Sequence, residues 1–134
     1  MHAAGYIDAE KLPFDEVVRL CGERIRDGQT IVFFPEGRRT RTGALGRFHV
    51  GAFFVACVYQ CPIVPMIIYN SYSVFSCTDR LFTCVPIDIE LLNPVYPADF
   101  ADSTVPHRAM MRHVRALYED HLAGREVLKT GISE

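Results

Sequence analysis

The chain has 134 residues, a mass of 15.2 kDa and a formal net charge of −2 at neutral pH. Its residues are 49% apolar and 22% charged, which is typical of one globular domain and excludes a disordered chain. Because the small net charge is negative, the chain lacks the broad positive field of nucleic-acid-binding proteins, and we predict no nucleic-acid partner. We predict a single domain over residues 1–134.

The first predicted elements are a helix and a short strand. The segment from Pro13 to Arg26 has acidic residues in its first turn, basic residues in its last turn and Gly28 just after it, which indicates a helix. The apolar positions that recur at helical spacing are Phe14, Val17, Val18, Cys21 and Ile25. The β-branched and aromatic run from Thr30 to Phe34 predicts a buried parallel strand, which Pro35 ends because the residue before proline is held extended.

Arginines follow this predicted strand directly. Residues 38–47, which we call the arginine loop, contain Arg38, Arg39, Arg41 and Arg47. A guanidinium group presents a planar fork of donors that matches pairs of phosphate oxygens. In open α/β sheets, ligands bind in the crevice beyond the carboxyl ends of the strands. The sequence therefore predicts a site for an anionic, phosphorylated substrate at this loop.

The next elements are predicted to be a buried helix and a buried strand. Val50 to Tyr59 is apolar on all sides, as in a buried helix, and Ile63 to Tyr69 predicts the following strand. A membrane-spanning helix is disfavoured here, because Gln60 and two prolines, Pro62 and Pro65, interrupt the apolar stretch.

The last third of the chain predicts one or two strands and a second amphipathic helix. In the segment from Leu81 to Leu91, broken at Pro86, the apolar residues alternate with Asp88 and Glu90, which we expect on a solvated face. A helix is predicted from Pro106 to Leu122, with Gly124 as its stop. Its expected inward residues are Met110, Val114, Leu117 and Tyr118. Alternating strands and helices predict an α/β fold with a largely parallel sheet flanked by helices.

The cysteines indicate thiols rather than a disulfide framework. Their number is odd, five, and no C-x-x-C pair occurs. Cys57 and Cys61 are four positions apart with no second ligand pair nearby, so we predict buried thiols and no metal site. The residues after Met1 are small and polar, without the apolar stretch of a signal peptide.

The segment around the arginine loop resembles the phospholipid/glycerol acyltransferase family. Phe34-Pro35-Glu36-Gly37-Arg38-Arg39-Thr40, followed by Gly43, Leu45 and Phe48-His49-Val50-Gly51, is similar to the family block F-P-E-G-T-R-S, with its later glycine, leucine and F-K-x-G. Pro62-Ile63-Val64-Pro65 is similar to the next, proline-bracketed block, whereas Gly5-Tyr6-Ile7 matches the preceding block only weakly. The resemblance is specific from Phe34 to Met66 and implies a partial acyltransferase-like domain that holds the substrate-binding half.

The resemblance implies six substrate-binding residues, namely Glu36, Gly37, Arg38, Arg39, Thr40 and His49. Arg39 takes the position whose arginine contacts the acceptor phosphate, although a solvated loop arginine is the alternative. Glu36 either orients Arg39 and polar acceptor groups or only caps the turn, while Gly37 gives the backbone freedom for a tight turn. His49 replaces the usual lysine, and its titration near neutral pH makes phosphate attraction depend on pH.

The implied reaction transfers an acyl group from acyl-CoA or acyl-carrier protein, a co-substrate, to glycerol phosphate or a lysophospholipid, without a cofactor. The family's catalytic base and its orienting carboxylate form a His-x4-Asp pair, which this chain lacks. His2 and Asp8 are wrongly spaced, and His121 with Glu126 lies at the far end of the chain, outside the family order. At the required spacing after His49 the residue is Phe54. We therefore predict no catalytic residue here and no acyl transfer by this chain alone. A degenerate lipid- or phosphate-binding paralogue is the alternative. We expect a location at the cytoplasmic face of a membrane.

Overall fold

The computed structural model describes residues 6–38, 44–71 and 86–130, the last six of these by their helical backbone. In chain order the elements are helix α1 (Phe14–Arg26), helix α2 (Gly51–Tyr59), strand β1 (Met66–Tyr69), strand β2 (Asp88–Leu91), a 3-10 helix (Pro97–Phe100) and helix α3 (Pro106–Thr130). They belong to two compact units, Met1–Phe33 and Phe34–Glu134. The single domain over residues 1–134 stays a prediction.

Helix α1 is the main element of the first unit, and its predicted bounds are confirmed to within one residue. Its C-terminus is closed by two backbone bonds: the Gly28 N–H donates to Ile25 O at 3.0 Å and the Gln29 N–H donates to Arg24 O at 2.9 Å. This pair of bonds is the Schellman motif, which needs a left-handed residue. Gly28 has a φ of 73°, so a glycine satisfies that need without steric strain.

The prediction of a buried parallel strand at residues 30–34 is wrong. None of these residues is in a strand, and the side chains of Val32 and Phe34 are 62% and 72% exposed. An apolar, β-branched run has the composition of a buried strand, but burial requires neighbouring strands and covering helices. The described part of the chain supplies no strand partner to this run.

The sheet of the second unit is antiparallel, not parallel as predicted. In the described residues it has two strands, with Met66 opposite Leu91 and Tyr69 opposite Asp88. The predicted strand at residues 63–69 is therefore shorter, although Ile63 also pairs with Val95 through two backbone bonds of 2.9 and 2.8 Å. The described residues do contain both helices and a sheet, as predicted, but the direction of the strands is corrected.

The predicted solvated face of Asp88 and Glu90 is only partly correct, because Asp88 is exposed but Glu90 is half-buried. Glu90 lies opposite Ile67 and accepts a 2.6 Å hydrogen bond from the Tyr69 hydroxyl, so it is not simply solvated. Ile89 and Leu91 are instead 62% and 66% exposed. Alternation specifies which residues share a face, but the packing of the rest of the chain decides which face is covered.

The core of the second unit lies between α2, α3 and the segment before α2. Its buried members are Phe48, Phe53, Ala56, Val95, Met110 and Val114. Leu117 and Tyr118 pack against this cluster, so the predicted inward face of α3 is confirmed. The predicted end of α3 is wrong, because the helix continues past Gly124 to Thr130. A glycine in an exposed helix lowers helix stability by only about 1 kcal/mol relative to alanine, which is too little to end the helix.

Helix α2 ends at Tyr59, in agreement with the prediction. Gln60 follows in the left-handed conformation with a φ of 51°, and its side-chain amide donates to Cys57 O at 2.7 Å. Among the described residues, no helix combines the length and the apolar content that a membrane span requires.

Candidate functional site

The candidate site begins with a tight turn at residues 34–37. The Gly37 N–H donates to Phe34 O at 3.0 Å, and Pro35 takes the second position of the turn, where its fixed φ is favourable. Gly37 has a φ of 68°, a conformation in which other residues are strained. The positive φ therefore explains why this turn has a glycine at position 37, as predicted.

The segment that returns from the arginine loop binds back onto this turn. The Gly46 N–H donates to Glu36 Oε2 at 2.6 Å, and the His49 N–H donates to Pro35 O at 2.7 Å. These two bonds tie the residues that precede the arginine loop to those near its end. This bond to Gly46 is neither of the two roles predicted for Glu36, and its role towards Arg39 or the acceptor stays a prediction.

Gly46 is required for this close approach. A Cβ atom at this position would lie 2.6 Å from Glu36 Oε2, a separation that real Cβ atoms essentially never show. Any larger residue at position 46 must displace the Glu36 carboxylate or the backbone. Sequence analysis did not select Gly46, because its value depends on a side chain ten positions away.

Helix α3 contributes Arg115 to the same region. Arg115 Nη1 donates to Gly46 O at 2.6 Å, and Nε donates to Glu119 Oε1 at 2.9 Å. The guanidinium carbon lies 5.6 Å from the centroid of the Phe48 ring, within the range of a cation–π contact. Nothing in the sequence around Arg115 indicates this contact, since Gly46 is 69 positions away.

Tyr118 links α3 to the strand that follows the site. Its ring meets the edge of Phe48 at 5.4 Å between centroids, and its hydroxyl donates to Met66 O at 2.9 Å. The same hydroxyl accepts from the Met66 N–H at 3.2 Å. Burial raises the pKa of Tyr118, so the hydroxyl stays neutral at physiological pH. Tyr118 therefore acts here as a structural tie.

His49 is exposed, and its ring lies against the turn. The ideal Cβ position at Gly37 is 3.3 Å from His49 Cδ2, so the ring occupies the space beside this glycine. His49, Gly37 and Glu36 thus lie close together, and Arg38 is exposed next to them, while substrate binding by these four residues stays a prediction. Arg39 and Thr40 lie outside the described residues, and their roles stay predictions.

Other candidate groups are separate from this region. The described residues contain no cluster of histidine, cysteine or acidic side chains that could hold a metal ion. Cys57 and Cys61 are only partly buried, not buried as predicted, and this burial raises the pKa of both thiols. A cavity of about 380 Å³ opens between residues 90–95 and α3, and none of the predicted site residues lines it.

Known proteins match both the sequence and the fold. The family described as Acyltransferase matches residues 2–69. A 1-acyl-sn-glycerol-3-phosphate acyltransferase from Cocos nucifera is 30% identical over 98 residues, which are 73% of this chain and 31% of that protein. The 1-acyl-sn-glycerol-3-phosphate acyltransferase beta of Homo sapiens is 35% identical over 97 residues, 66% of this chain and 34% of that protein.

A solved structure has a similar fold. The crystal structure of the 1-acyl-sn-glycerophosphate (LPA) acyltransferase PlsC from Thermotoga maritima superposes with a TM-score of 0.65 and 24% identity. The superposition covers 79% of this chain and 44% of that one. The chain therefore has the fold of part of that structure, and it spans about a third of the length of the curated relatives that it matches.

Proposed function

The chain belongs to the acyltransferase family, and from this premise we propose that it forms the acceptor-binding part of a glycerolipid acyltransferase in phospholipid biosynthesis. The observation that carries the proposal is the tie between Glu36 and Gly46, which holds together the two ends of a loop rich in arginine. The tie fixes the described ends of the loop, where Arg38 and Arg47 are exposed, and binding of a phosphate group requires positive charge that is held in place.

We further propose that the acceptor is a glycerol phosphate that carries at most one acyl chain. The relatives from Cocos nucifera and Homo sapiens are named for 1-acyl-sn-glycerol 3-phosphate, and this name supports a lysophospholipid acceptor. In this proposal the Arg39 guanidinium binds the acceptor phosphate through paired hydrogen bonds. Arg38, which is exposed beside the turn, adds positive charge at the same place.

The proposed reaction is a direct transfer between two bound substrates. A general base takes the proton of the acceptor hydroxyl, and the hydroxyl oxygen attacks the thioester carbonyl of acyl-CoA or acyl-carrier protein. A C–O ester bond forms, the C–S bond breaks, and the thiolate leaves and takes up a proton. The part played by this chain is to fix the acceptor by its phosphate, since orientation of the reactants supplies much of the rate gain. The base is not one of the residues that we assign here.

We also propose that the protein works at the cytoplasmic face of a membrane. A lysophospholipid acceptor carries an acyl chain that favours a bilayer over water. A site that binds its phosphate group therefore has to work next to the lipid surface. The acyl chain of the proposed acceptor is what supports a location at the membrane.

The experiment that tests the proposal is titration of the 134-residue chain with sn-glycerol 3-phosphate. Replacing Arg39 with alanine removes a charge-assisted contact of about 1.5–3 kcal/mol, so the dissociation constant should rise by about one to two decades. Arg41→Ala is the matched control, with the same charge change two positions away, and its effect should be much smaller. Equal losses for both variants would indicate diffuse anion attraction and would contradict the proposal.

Turnover separates the enzyme from a degenerate binding paralogue. Acyl-CoA turnover is measured with glycerol phosphate and with lysophosphatidate, on the 134-residue chain and on a version extended upstream. Activity that appears only with the extension supports an acceptor-binding half of an enzyme. Phosphate binding without turnover in either version supports the binding paralogue, and turnover by the short chain that His49→Ala abolishes would make His49 the base.

A further inference from the structure

Charged side chains hold the peptide units on both sides of Gly46. Its N–H donates to Glu36 Oε2 at 2.6 Å, and its carbonyl accepts from Arg115 Nη1 at 2.6 Å. Hydrogen bonds to ionised partners are shorter and stronger than neutral ones. Because both bonds act on one residue near the end of the arginine loop, a change at either charged side chain alters the backbone there.

Arg115 is itself fixed in orientation. Its Nε donates to Glu119 one turn further along α3, and its guanidinium lies over the Phe48 ring. Tyr118 meets the same ring edge-on and holds the backbone of Met66 through both of its hydrogen bonds. Helix α3 thus presents one rigid set of contacts to Gly46, Phe48 and β1.

We propose that Arg115 is a positioning residue for acceptor binding, which fixes the end of the arginine loop through the Gly46 carbonyl. This inference rests on the proposed function, since that proposal places the acceptor phosphate at the loop. The role is one of positioning, because the Nη1 and Nε atoms of Arg115 bind Gly46 and Glu119 and its guanidinium lies over the Phe48 ring. A group that binds a ligand is effective only when the supporting residues hold it in the correct geometry.

Three variants of the chain test this role. Arg115→Met removes the charge and the donors but keeps the apolar stem against Phe48. Arg115→Lys keeps the charge and one donor within reach of Gly46. Arg112→Met is the matched control, since Arg112 is an exposed arginine on the same helix. Each variant is titrated with sn-glycerol 3-phosphate, and the Gly46 amide is followed by ¹⁵N–¹H NMR.

The expected result is a specific loss at Arg115. The dissociation constant of Arg115→Met should rise about tenfold, the size expected for one lost charge-assisted hydrogen bond, and its Gly46 amide signal should shift. Arg115→Lys should restore affinity to within about threefold of the unaltered chain, and Arg112→Met to within about twofold. An unchanged affinity in Arg115→Met, with a shifted Gly46 signal, would overturn the inference.

A double-mutant cycle with Glu36→Gln tests whether Arg115 acts through Gly46. If both side chains fix the backbone of one residue, the loss in the double variant should be clearly smaller than the product of the two single losses. Losses that multiply would overturn the inference, because they indicate that Arg115 acts independently of Gly46. If Arg115→Met does not fold, Arg115→Gln takes its place, with an expected loss of about threefold. Unchanged affinity in that variant would equally overturn it.

The two proposals fail in different ways. If sn-glycerol 3-phosphate binds no better than glycerol, or if Arg39→Ala leaves its affinity unchanged, the proposed function is refuted, and this inference with it. If Arg39→Ala weakens binding but Arg115→Met does not, the proposed function stands and the positioning role of Arg115 is refuted.

Discussion

Replacing Gly46 with alanine is expected to destabilise the chain, because the new methyl group displaces the Glu36 carboxylate from its hydrogen bond. The ideal Cβ position lies 2.6 Å from Glu36 Oε2 and 3.5 Å from Glu36 Cδ. The carboxylate has to move away, and the 2.6 Å hydrogen bond from the Gly46 N–H is then lost. A hydrogen bond to a charged group contributes about 1.5–3 kcal/mol, so we expect a loss of about 2 kcal/mol in the free energy of unfolding.

Urea unfolding followed by circular dichroism measures this loss. With a slope of about 2 kcal/mol per molar urea, a loss of about 2 kcal/mol lowers the midpoint by about 1 M. Gly124→Ala is the matched control, because a Cβ at that helical position meets nothing within 4 Å. It should raise stability by about 0.5–1 kcal/mol, since alanine is the better helix former.

A double-mutant cycle of Gly46→Ala with Glu36→Ala identifies the cause of the loss. In a Glu36→Ala background the carboxylate is absent, so Gly46→Ala should destabilise the chain by less than about 0.5 kcal/mol. Equal losses in both backgrounds would show that contact with Glu36 is not the reason. A Gly46→Ala variant as stable as the unaltered chain would refute the argument altogether.

Two further predictions concern the core and the tie between α3 and β1. Phe53→Ala should lower the free energy of unfolding, measured in urea, by about 3–5 kcal/mol, because Phe53 is 2% exposed in the core. Val58→Ala, at an exposed position of the same helix, should change it by less than about 0.5 kcal/mol. Comparable losses in the two variants would contradict the assigned core. Burial raises the folded-state pKa of Tyr118, so its contribution to stability is full below the unfolded value of 10.0 and is lost as the pH rises above it. The stability difference between the unaltered chain and Tyr118→Phe should therefore be constant from pH 7 to 9 and shrink towards pH 11, and a constant difference up to pH 11 would contradict this.

The helices could be predicted from the sequence because their determinants are local. The apolar spacing of α1, its charged ends and Gly28 all lie within one stretch, and Gln60 with the following prolines sets the end of α2. The turn at Pro35 and Gly37 is equally local, since proline and glycine restrict or free the backbone by themselves. Where a local rule is only a weak preference, as with Gly124 in α3, the neighbouring helix formers outweighed it.

The sequence by itself determined the family, the arginine loop, the helices and the turn, since each depends on residues a few positions apart. Only the tertiary structure decided the antiparallel pairing of β1 with β2 and the exposure of residues 32–34, because pairing depends on distant partners. It also brought Arg115 to Gly46 across 69 positions. A contact of that separation leaves no periodic pattern in the sequence, because it arises only when the core has placed α3 beside the loop.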